Sequence, residues 1–145
     1  MKQETACVVS VSDQLSFNSF YEAWKEELAD VLLIVVEDND CVSFSIPHKA
    51  QAFSRAHIDE DFGDNSWIFA PHTQALISYG CLQAYKADAE NIIILDEMAR
   101  PESPGLIKSH LHSLASACED DAWTAILNNA KSKGMPYYHT KRQQD

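Results

Sequence analysis

Glycine is scarce in this sequence, and its scarcity removes one class of function. The 145 residues contain only four glycines, at Gly63, Gly80, Gly105 and Gly134. Loops that cradle nucleotide phosphates need closely spaced glycines, because the backbone must approach the ligand without intervening side chains. The sequence therefore contains no glycine-rich phosphate loop.

Cysteine is equally sparse, and no pair has the spacing of a metal or redox motif. Cys7, Cys41, Cys81 and Cys118 lie more than thirty residues apart. Zinc sites and redox dithiols commonly bring two cysteines within a few residues of each other. We therefore expect free thiols that behave as small apolar side chains. No cofactor is predicted.

Long apolar segments are also lacking. No stretch reaches the roughly 18 apolar residues that a membrane-spanning helix needs. The first residues, from Met1 to Cys7, include a glutamate and no apolar run of signal-peptide length. These absences predict a cytoplasmic protein that has no membrane partner.

Positive charge is in short supply, and what there is lies unevenly along the chain. The sequence has 11 Lys and Arg against 22 Asp and Glu, a net charge of -11. Residues 1–130 hold 7 basic against 21 acidic side chains, whereas residues 131–145 hold 4 against 1. An acidic body repels phosphate backbones, which argues against direct DNA or RNA binding. The same charge would speed encounter with a basic protein, or it serves solubility alone.

The apolar pattern predicts an α/β fold: a mixed sheet of about five strands with helices packed on it. Residues 6–11 are apolar and β-branched enough for a first strand, and the aromatic stripe from Phe17 to Leu28 has helical spacing. Six consecutive apolar residues, 31–36, are typical of a strand covered on both faces. The polar turn that follows them predicts an antiparallel hairpin with a strand over 41–46.

Two similar stretches each predict a strand that runs directly into a helix through Pro-His. Residues 42–46 precede Pro47 and His48, and residues 66–70 precede Pro71 and His72. Proline suits a first helical turn, because the amide proton it lacks would be unpaired there. We expect helices over 47–57 and 73–86, with an acidic loop between them over 58–65.

The last third of the sequence is predicted to be helical. Ser103 and Pro104 would begin one helix, and a second apolar face runs from Trp123 to Ala130. We expect a single domain over residues 1–139. The basic tail, residues 140–145, is expected to fray.

The last predicted strand, residues 91–95, ends in two acids. Parallel strands present their carboxyl ends at one edge of a sheet, where ligands of open α/β sheets gather. The sequence therefore predicts that this edge collects four potential ligands of zinc or iron, with Glu97 as a general base: His48, His72, Asp96 and Glu97. Ser12 and Asp38 are expected at the opposite edge. This is the enzyme hypothesis, a metal-dependent or acid-base site.

The stretch from Asn91 to Glu97 resembles the second nucleotide motif of P-loop ATPases, an apolar strand ending in Asp-Glu. The resemblance covers seven residues. The glycine-rich loop that ends in Gly-Lys-Ser or Gly-Lys-Thr is missing, so nucleotide hydrolysis is rejected.

Clusters of acidic residues favour the other hypothesis, a protein-binding module. Such a module would engage a basic partner, as an inhibitor, an immunity-type protein or an adaptor does. The candidate contact residues come from the predicted acidic loop and from a later acidic run: Asp59, Glu60, Asp61, Asp64, Glu119, Asp120 and Asp121. The loop lacks the calcium-loop pattern, which needs glycine sixth and glutamate twelfth: counted from Asp59, the glycine is fifth and the twelfth residue is Ala70. Between the two hypotheses, the sequence favours the binding module.

Overall fold

The structure, a computed structural model, describes residues 4–38 and 45–116. The described chain divides in sequence between Ile107 and Lys108 into two compact units. In chain order the elements are β1 (Thr5–Val11), α1 (Gln14–Trp24), β2 (Leu32–Glu37), β3 (Ala50–Phe53), α2 (Arg55–Phe62), a 3₁₀ helix (Gly63–Ile68), α3 (Gln74–Lys86), β4 (Asn91–Asp96) and α4 (Leu106–Ser116). The sheet belongs to the first unit, and the part of α4 from Lys108 onward belongs to the second.

The four described strands form one parallel sheet in the order β3-β2-β1-β4. The register pairs Val8 of β1 with Ile34 of β2 on one side and with Ile94 of β4 on the other. The α/β class and the central position of the strand over 31–36 are confirmed. The described sheet is parallel throughout rather than mixed.

The predicted hairpin after β2 is wrong, because β2 already has a neighbour on each side. It pairs with β1 and with β3, both in the parallel direction. An antiparallel strand over 41–46 has no free edge of β2 to join. Residues 39–44 lie outside the described part of the chain, and Ser45 and Ile46 are not in a strand.

Helix α3 covers one face of the sheet and packs there against β1 and β2. Apolar residues of alternate positions in β1 and β2 pack there against α2 and α3, as the following buried set shows: Ala6, Val8, Leu32, Ile34, Val36, Ile58, Leu76, Tyr79 and Ala84. The helix predicted over 73–86 is confirmed. Tyr85, near the end of this helix, is 75% exposed.

Gly80 allows α3 to lie close to the sheet. A Cβ atom at this position would be 2.4 Å from Cγ1 of Val8 and 3.0 Å from Cγ2 of Val36. Both distances are shorter than van der Waals contact. At Gly80 the backbone of α3 therefore lies directly against side chains of β1 and β2.

Helix α1 packs against the opposite face, which the other alternate positions of the strands form. Phe17, Phe20 and Trp24 are buried, so the predicted aromatic stripe is confirmed as core. The indole Nε1 of Trp24 donates a hydrogen bond to the carbonyl of Ala99, at 2.9 Å. Burial of these rings holds α1 to the sheet.

The described residues between β2 and β3, namely 38 and 45–49, contain no helix. Gln14, in the first turn of α1, accepts a hydrogen bond from the amide of Ser45 at 2.7 Å. The helix predicted over 47–57 is wrong, because Ala50–Phe53 takes the available edge of β2 as β3. Ser54 then begins α2 through a capping box with His57.

Helical structure also replaces the strand predicted over 66–70 and the acidic loop predicted over 58–65. Residues 58–62 lie in α2, and residues 63–68 form the 3₁₀ helix. Trp67 and Ile68 are 71% and 51% exposed, so the apolar run that suggested a strand is not buried. The run lies in the helical connection between β3 and α3 and does not pair with the described strands.

Helix α4 begins close to the predicted Ser103-Pro104 start, and a carboxylate caps it. Glu27 accepts hydrogen bonds from the amides of Gly105 and Ile107, the latter at 3.0 Å. The second predicted helix of the C-terminal third and the basic tail lie outside the described residues. Within the described part of the chain, no helix has the length and apolar character needed to cross a bilayer.

Candidate functional site

The parallel sheet delivers the residues that follow β1, β2 and β4 to one edge. Ser12 follows β1, Asp38 follows β2, and Asp96 and Glu97 lie at the end of β4. The strand order reverses direction between β1 and β4. In open α/β sheets, ligands bind outside the carboxyl ends of the strands at this switch point. The expectation that Ser12 and Asp38 lie at the opposite edge is wrong, because it rested on the antiparallel hairpin.

Glu97 closes the turn that follows β1. Its carboxylate accepts hydrogen bonds from the amide of Ser12 at 3.0 Å and from the hydroxyl of Ser12 at 3.0 and 3.2 Å. These bonds tie the end of β4 to the end of β1 across the switch point. Both oxygens of Glu97 therefore already have donors.

Asp38 is a partly buried acid at this edge, and it holds His72. Its amide donates to the carbonyl of Val11 at 2.8 Å, which fixes it beside the turn after β1. Its carboxylate accepts the amide of His72 at 2.7 Å and contacts Nδ1 of the same ring at 3.1 Å. The Asp38 side chain is only 15% exposed, whereas that of His72 is 78% exposed. With the proton on Nδ1, the neutral ring keeps Nε2 as an acceptor.

His72 has an uncommon backbone conformation, with φ at 57°. A side chain other than that of glycine rarely adopts this left-handed region, which costs about 1–2 kcal/mol. The two hydrogen bonds that Asp38 accepts from His72 compensate for this cost. They fix the imidazole in one orientation at the carboxyl edge.

The N-terminus of α1 opens onto the same edge and is already occupied by a carboxylate. Asp13 is its N-cap, and its side chain accepts a hydrogen bond from the amide of Ser16 at 2.8 Å. This bond lowers the pKa of Asp13. A helix N-terminus can bind an anion through its free amides. Here the protein's own acid takes that place.

Asp96 completes the row of acids. Its carboxylate accepts the amide of Met98 at 2.8 Å, and its side chain is exposed. The edge thus carries Asp13, Asp38, Asp96 and Glu97 around Ser12. Carboxylates only accept hydrogen bonds when ionised, so this edge suits donors such as hydroxyl and ammonium groups.

The four residues of the predicted metal site do not come together. His48 lies two residues before β3, whose first residue pairs with Leu33 near the start of β2, so His48 lies at the amino edge. His72 contacts Asp38, and Glu97 contacts Ser12. Over residues 4–38 and 45–116, no group of three or more His, Cys, Asp or Glu side chains is arranged to hold a metal ion.

The predicted acidic contact residues have different environments. Asp59 forms an ion pair with Arg55 at 3.0 Å, while Glu60 and Asp64 are exposed. Asp61 instead joins α2 to α3, because its Oδ2 accepts hydrogen bonds from three side chains at 2.9–3.0 Å: Tyr79, Gln83 and Lys86. The remaining three candidates, Glu119, Asp120 and Asp121, lie outside the described residues.

The network around Asp61 shifts two pKa values in opposite directions. The hydrogen bond from Lys86, with those from Gln83 and Tyr79, lowers the pKa of Asp61. Burial, followed by the hydrogen bond to Asp61, raises the pKa of Tyr79. Asp61 is therefore a structural carboxylate that holds two helices together.

The pairing of Asp38 with His72 was not predicted from the sequence, although one feature of the sequence indicates it. The unbroken apolar run of β2 is characteristic of parallel sheets, whose strands are covered on both faces. A parallel β2 brings Asp38 to the edge that also receives Asp96 and Glu97. This signal is more specific than the short polar turn, and it predicts the edge at which Asp38 lies.

Comparison of the chain with protein-family models, with curated proteins and with solved structures found no match.

Proposed function

We propose that the protein binds a neutral, hydroxyl-rich small molecule, of the sugar or nucleoside class, at the carboxyl edge of its sheet. The observation that carries this proposal is Asp38, a largely buried carboxylate at the end of β2 beside the switch point. In doubly wound nucleotide-binding sheets, an acid on the second strand accepts a hydrogen bond from a ribose hydroxyl. Asp38 follows β2 and is the acid that corresponds to this position.

The charge of the edge favours a neutral ligand over a phosphorylated one. The first strand-to-helix turn contains Ser12 and Asp13 and no glycine. Asp13 and Glu97 already accept the amides that a phosphate would use, those of Ser16 and Ser12. Each further carboxylate raises the electrostatic cost of bringing an anion to this edge.

His72 supplies the second contact of the proposed site. Its Nδ1 faces Asp38, which leaves Nε2 to accept a hydrogen bond from a ligand hydroxyl. The orientation of an imidazole by a carboxylate is also the arrangement that general-base catalysis uses. In the enzyme version of this proposal, Nε2 of His72 is therefore the proton acceptor.

Isothermal titration calorimetry with adenosine, uridine, glucose and adenosine monophosphate tests the proposal. We expect at least one neutral ligand to bind and the monophosphate to bind more weakly than adenosine. Asp38→Asn removes a charged hydrogen-bond acceptor with little change in shape, and a bond of this kind contributes about 1.5–3 kcal/mol. The matched control is Asp64→Asn, which neutralises an exposed acid of the 3₁₀ helix. Binding that survives Asp38→Asn, or tighter binding of the monophosphate, contradicts the proposal.

A second candidate function, capture of a basic protein, is supported by the charge of -11 together with the exposure of Glu60 and Asp64. Long-range attraction by such a surface accelerates association and weakens as salt increases. Glu60→Ser with Asp64→Ser leaves the structural Asp61 intact. Native mass spectrometry of the tagged protein from its own host should then lose any basic partner that the parent retains at fixed stoichiometry. Retention of that partner by the double variant excludes this surface.

A further inference from the structure

A cavity of about 250 Å³ lies beside α1, away from the carboxyl edge. Its walls come from the C-terminal half of α1, the start of β2 and the segment that leads into β3. The apolar part is formed by Leu28, Val31 and Leu33, all of which are buried. Two lysines, Lys25 and Lys49, and the ring of Tyr21 line the cavity as well.

The two lysines differ in how far their charges are already neutralised. Lys25 lies 2.8 Å from the carboxylate of Glu22, in an exposed ion pair. Lys49 donates a hydrogen bond to the carbonyl of Ala29 at 3.3 Å. Among the residues that the structure describes, no carboxylate lies within ion-pair distance of Lys49. By contrast, Arg55 and Lys86 pair with Asp59 and Asp61.

We propose that this cavity binds a small organic anion, a carboxylate carried on a ring or a short alkyl chain. The apolar walls remove the body of such a ligand from water, which contributes about 25 cal/mol for each Å² buried. The ammonium groups of Lys49 and Lys25 pair with its carboxylate. The volume lies just below the roughly 300–1,000 Å³ of sites for drug-sized ligands, so the ligand is correspondingly small.

The chemistry of the cavity is opposite to that of the carboxyl edge. All of its lining residues are described, and the segment over 39–44 is not among them. A free inorganic anion would gain nothing from the apolar walls, and a neutral apolar molecule would gain nothing from the lysines. The combination therefore selects an amphiphilic anion. This inference stands whether or not the carboxyl edge binds a hydroxyl-rich ligand.

Binding of benzoate and octanoate to the full chain tests the proposal, with benzyl alcohol and octanol as uncharged ligands of the same apolar body. We expect either anion to bind more tightly than its alcohol, by about fivefold or more, as a partly exposed charge pair allows. Lys49→Gln should remove most of this preference, and Lys25→Gln less, because Glu22 already shares that charge. Lys108→Gln, an exposed lysine that does not line the cavity, should leave binding unchanged. Equal affinity for acid and alcohol, or full binding by Lys49→Gln, overturns the proposal.

Ala29→Phe tests the location separately from the charge. Ala29 lines the cavity and is exposed, so a larger side chain can enter the open space without displacing the core. We expect circular dichroism and thermal unfolding to match the parent and binding of both anions to be lost. A folded Ala29→Phe variant that binds benzoate as the parent does places the ligand elsewhere and rejects this cavity.

Discussion

The two ends of helix α1 border two candidate sites, one lined by acids and the other by two lysines. At its N-terminus lie Asp13 and, across the turns after β1 and β2, Glu97 and Asp38. Near its C-terminus, the cavity brings Lys25 and Lys49 together. One charge at each end follows from the helix itself, since Asp13 is the N-cap and Lys25 the C-cap, and both complement the helix dipole. The second charge at each end comes from a distant part of the chain, so only the fold creates the contrast.

The largest effect on stability is expected at Gly80, on the face of the sheet opposite α1. Alanine has a helix propensity better than that of glycine by about 1 kcal/mol. The added Cβ would lie 2.4 Å from Val8, and overpacking of this kind costs about 1–3 kcal/mol. We expect the cost of overpacking to exceed the gain in helix propensity, so that Gly80→Ala lowers the free energy of unfolding in urea. Anion binding at the cavity should persist, because α1 and the cavity occupy the other face.

The control for this variant is Ser78→Ala, an exposed position on the same helix. Surface substitutions of this kind change stability by about 0.5 kcal/mol or less. A Gly80→Ala protein that is more stable than the parent would show that α3 can move away from the sheet at little cost.

The next effect is expected at the carboxyl edge, where His72 has a positive φ. His72→Gly and His72→Ala both remove the imidazole and keep the amide that Asp38 accepts. Glycine adopts the left-handed conformation without strain, whereas alanine pays about 1–2 kcal/mol for it. We therefore expect the glycine variant to be the more stable of the two in urea unfolding.

The same two substitutions at His57 should give the opposite result, with the alanine variant more stable than the glycine variant. His57 lies in the first turn of α2, where helical φ is required and alanine is favoured over glycine. Equal stability of the two His72 variants would mean that the turn relaxes and does not hold the imidazole in place.

A smaller effect is expected at Glu27, an acid near the cavity. Its carboxylate already accepts hydrogen bonds from backbone amides. The two amides lie at the start of α4, and loss of a capping side chain typically costs about 1 kcal/mol. Glu27→Ala should lower the urea midpoint without strengthening anion binding. Glu60→Ala, at an exposed position on α2, should change neither quantity. If Glu27→Ala strengthens benzoate binding, its charge reaches the cavity and the contrast between the two regions is smaller than proposed.

The smallest effect concerns Asp61, an acid that belongs to neither region. Hydrogen bonds from Lys86, Gln83 and Tyr79 hold its pKa below the ordinary value. The unfolded chain then binds the proton more tightly than the folded one, so this contribution to stability is present above about pH 4 and is lost as the pH falls through the lowered pKa. Urea unfolding of the parent between pH 2 and pH 7 should show this loss, and Asp61→Asn should show a shallower acid limb. If the parent and Asp61→Asn lose the same stability as the pH falls, Asp61 does not contribute to the loss of stability in acid.

Much of the scaffold could be predicted from the sequence, because the signals were local. The aromatic spacing from Phe17 to Trp24 specifies α1, and the unbroken apolar run of β2 specifies a strand buried on both faces. The site could not be predicted to the same degree. The direction of β2 relative to β4 decides whether Asp38 lies at the same edge as Glu97 or at the other end of the sheet. That direction depends on how the strands pair, a property of the assembled sheet.

The sequence by itself determined the acidity of the protein, the absence of a glycine-rich phosphate loop and the identity of the main buried segments, because composition and periodicity express these directly. Only the tertiary structure decided that Asp38 holds His72, that Asp61 joins two helices and that Lys25 and Lys49 share a cavity. Each of these contacts joins residues that are far apart in sequence or on different elements. Such contacts form only after burial of the apolar faces has fixed the order and direction of the strands.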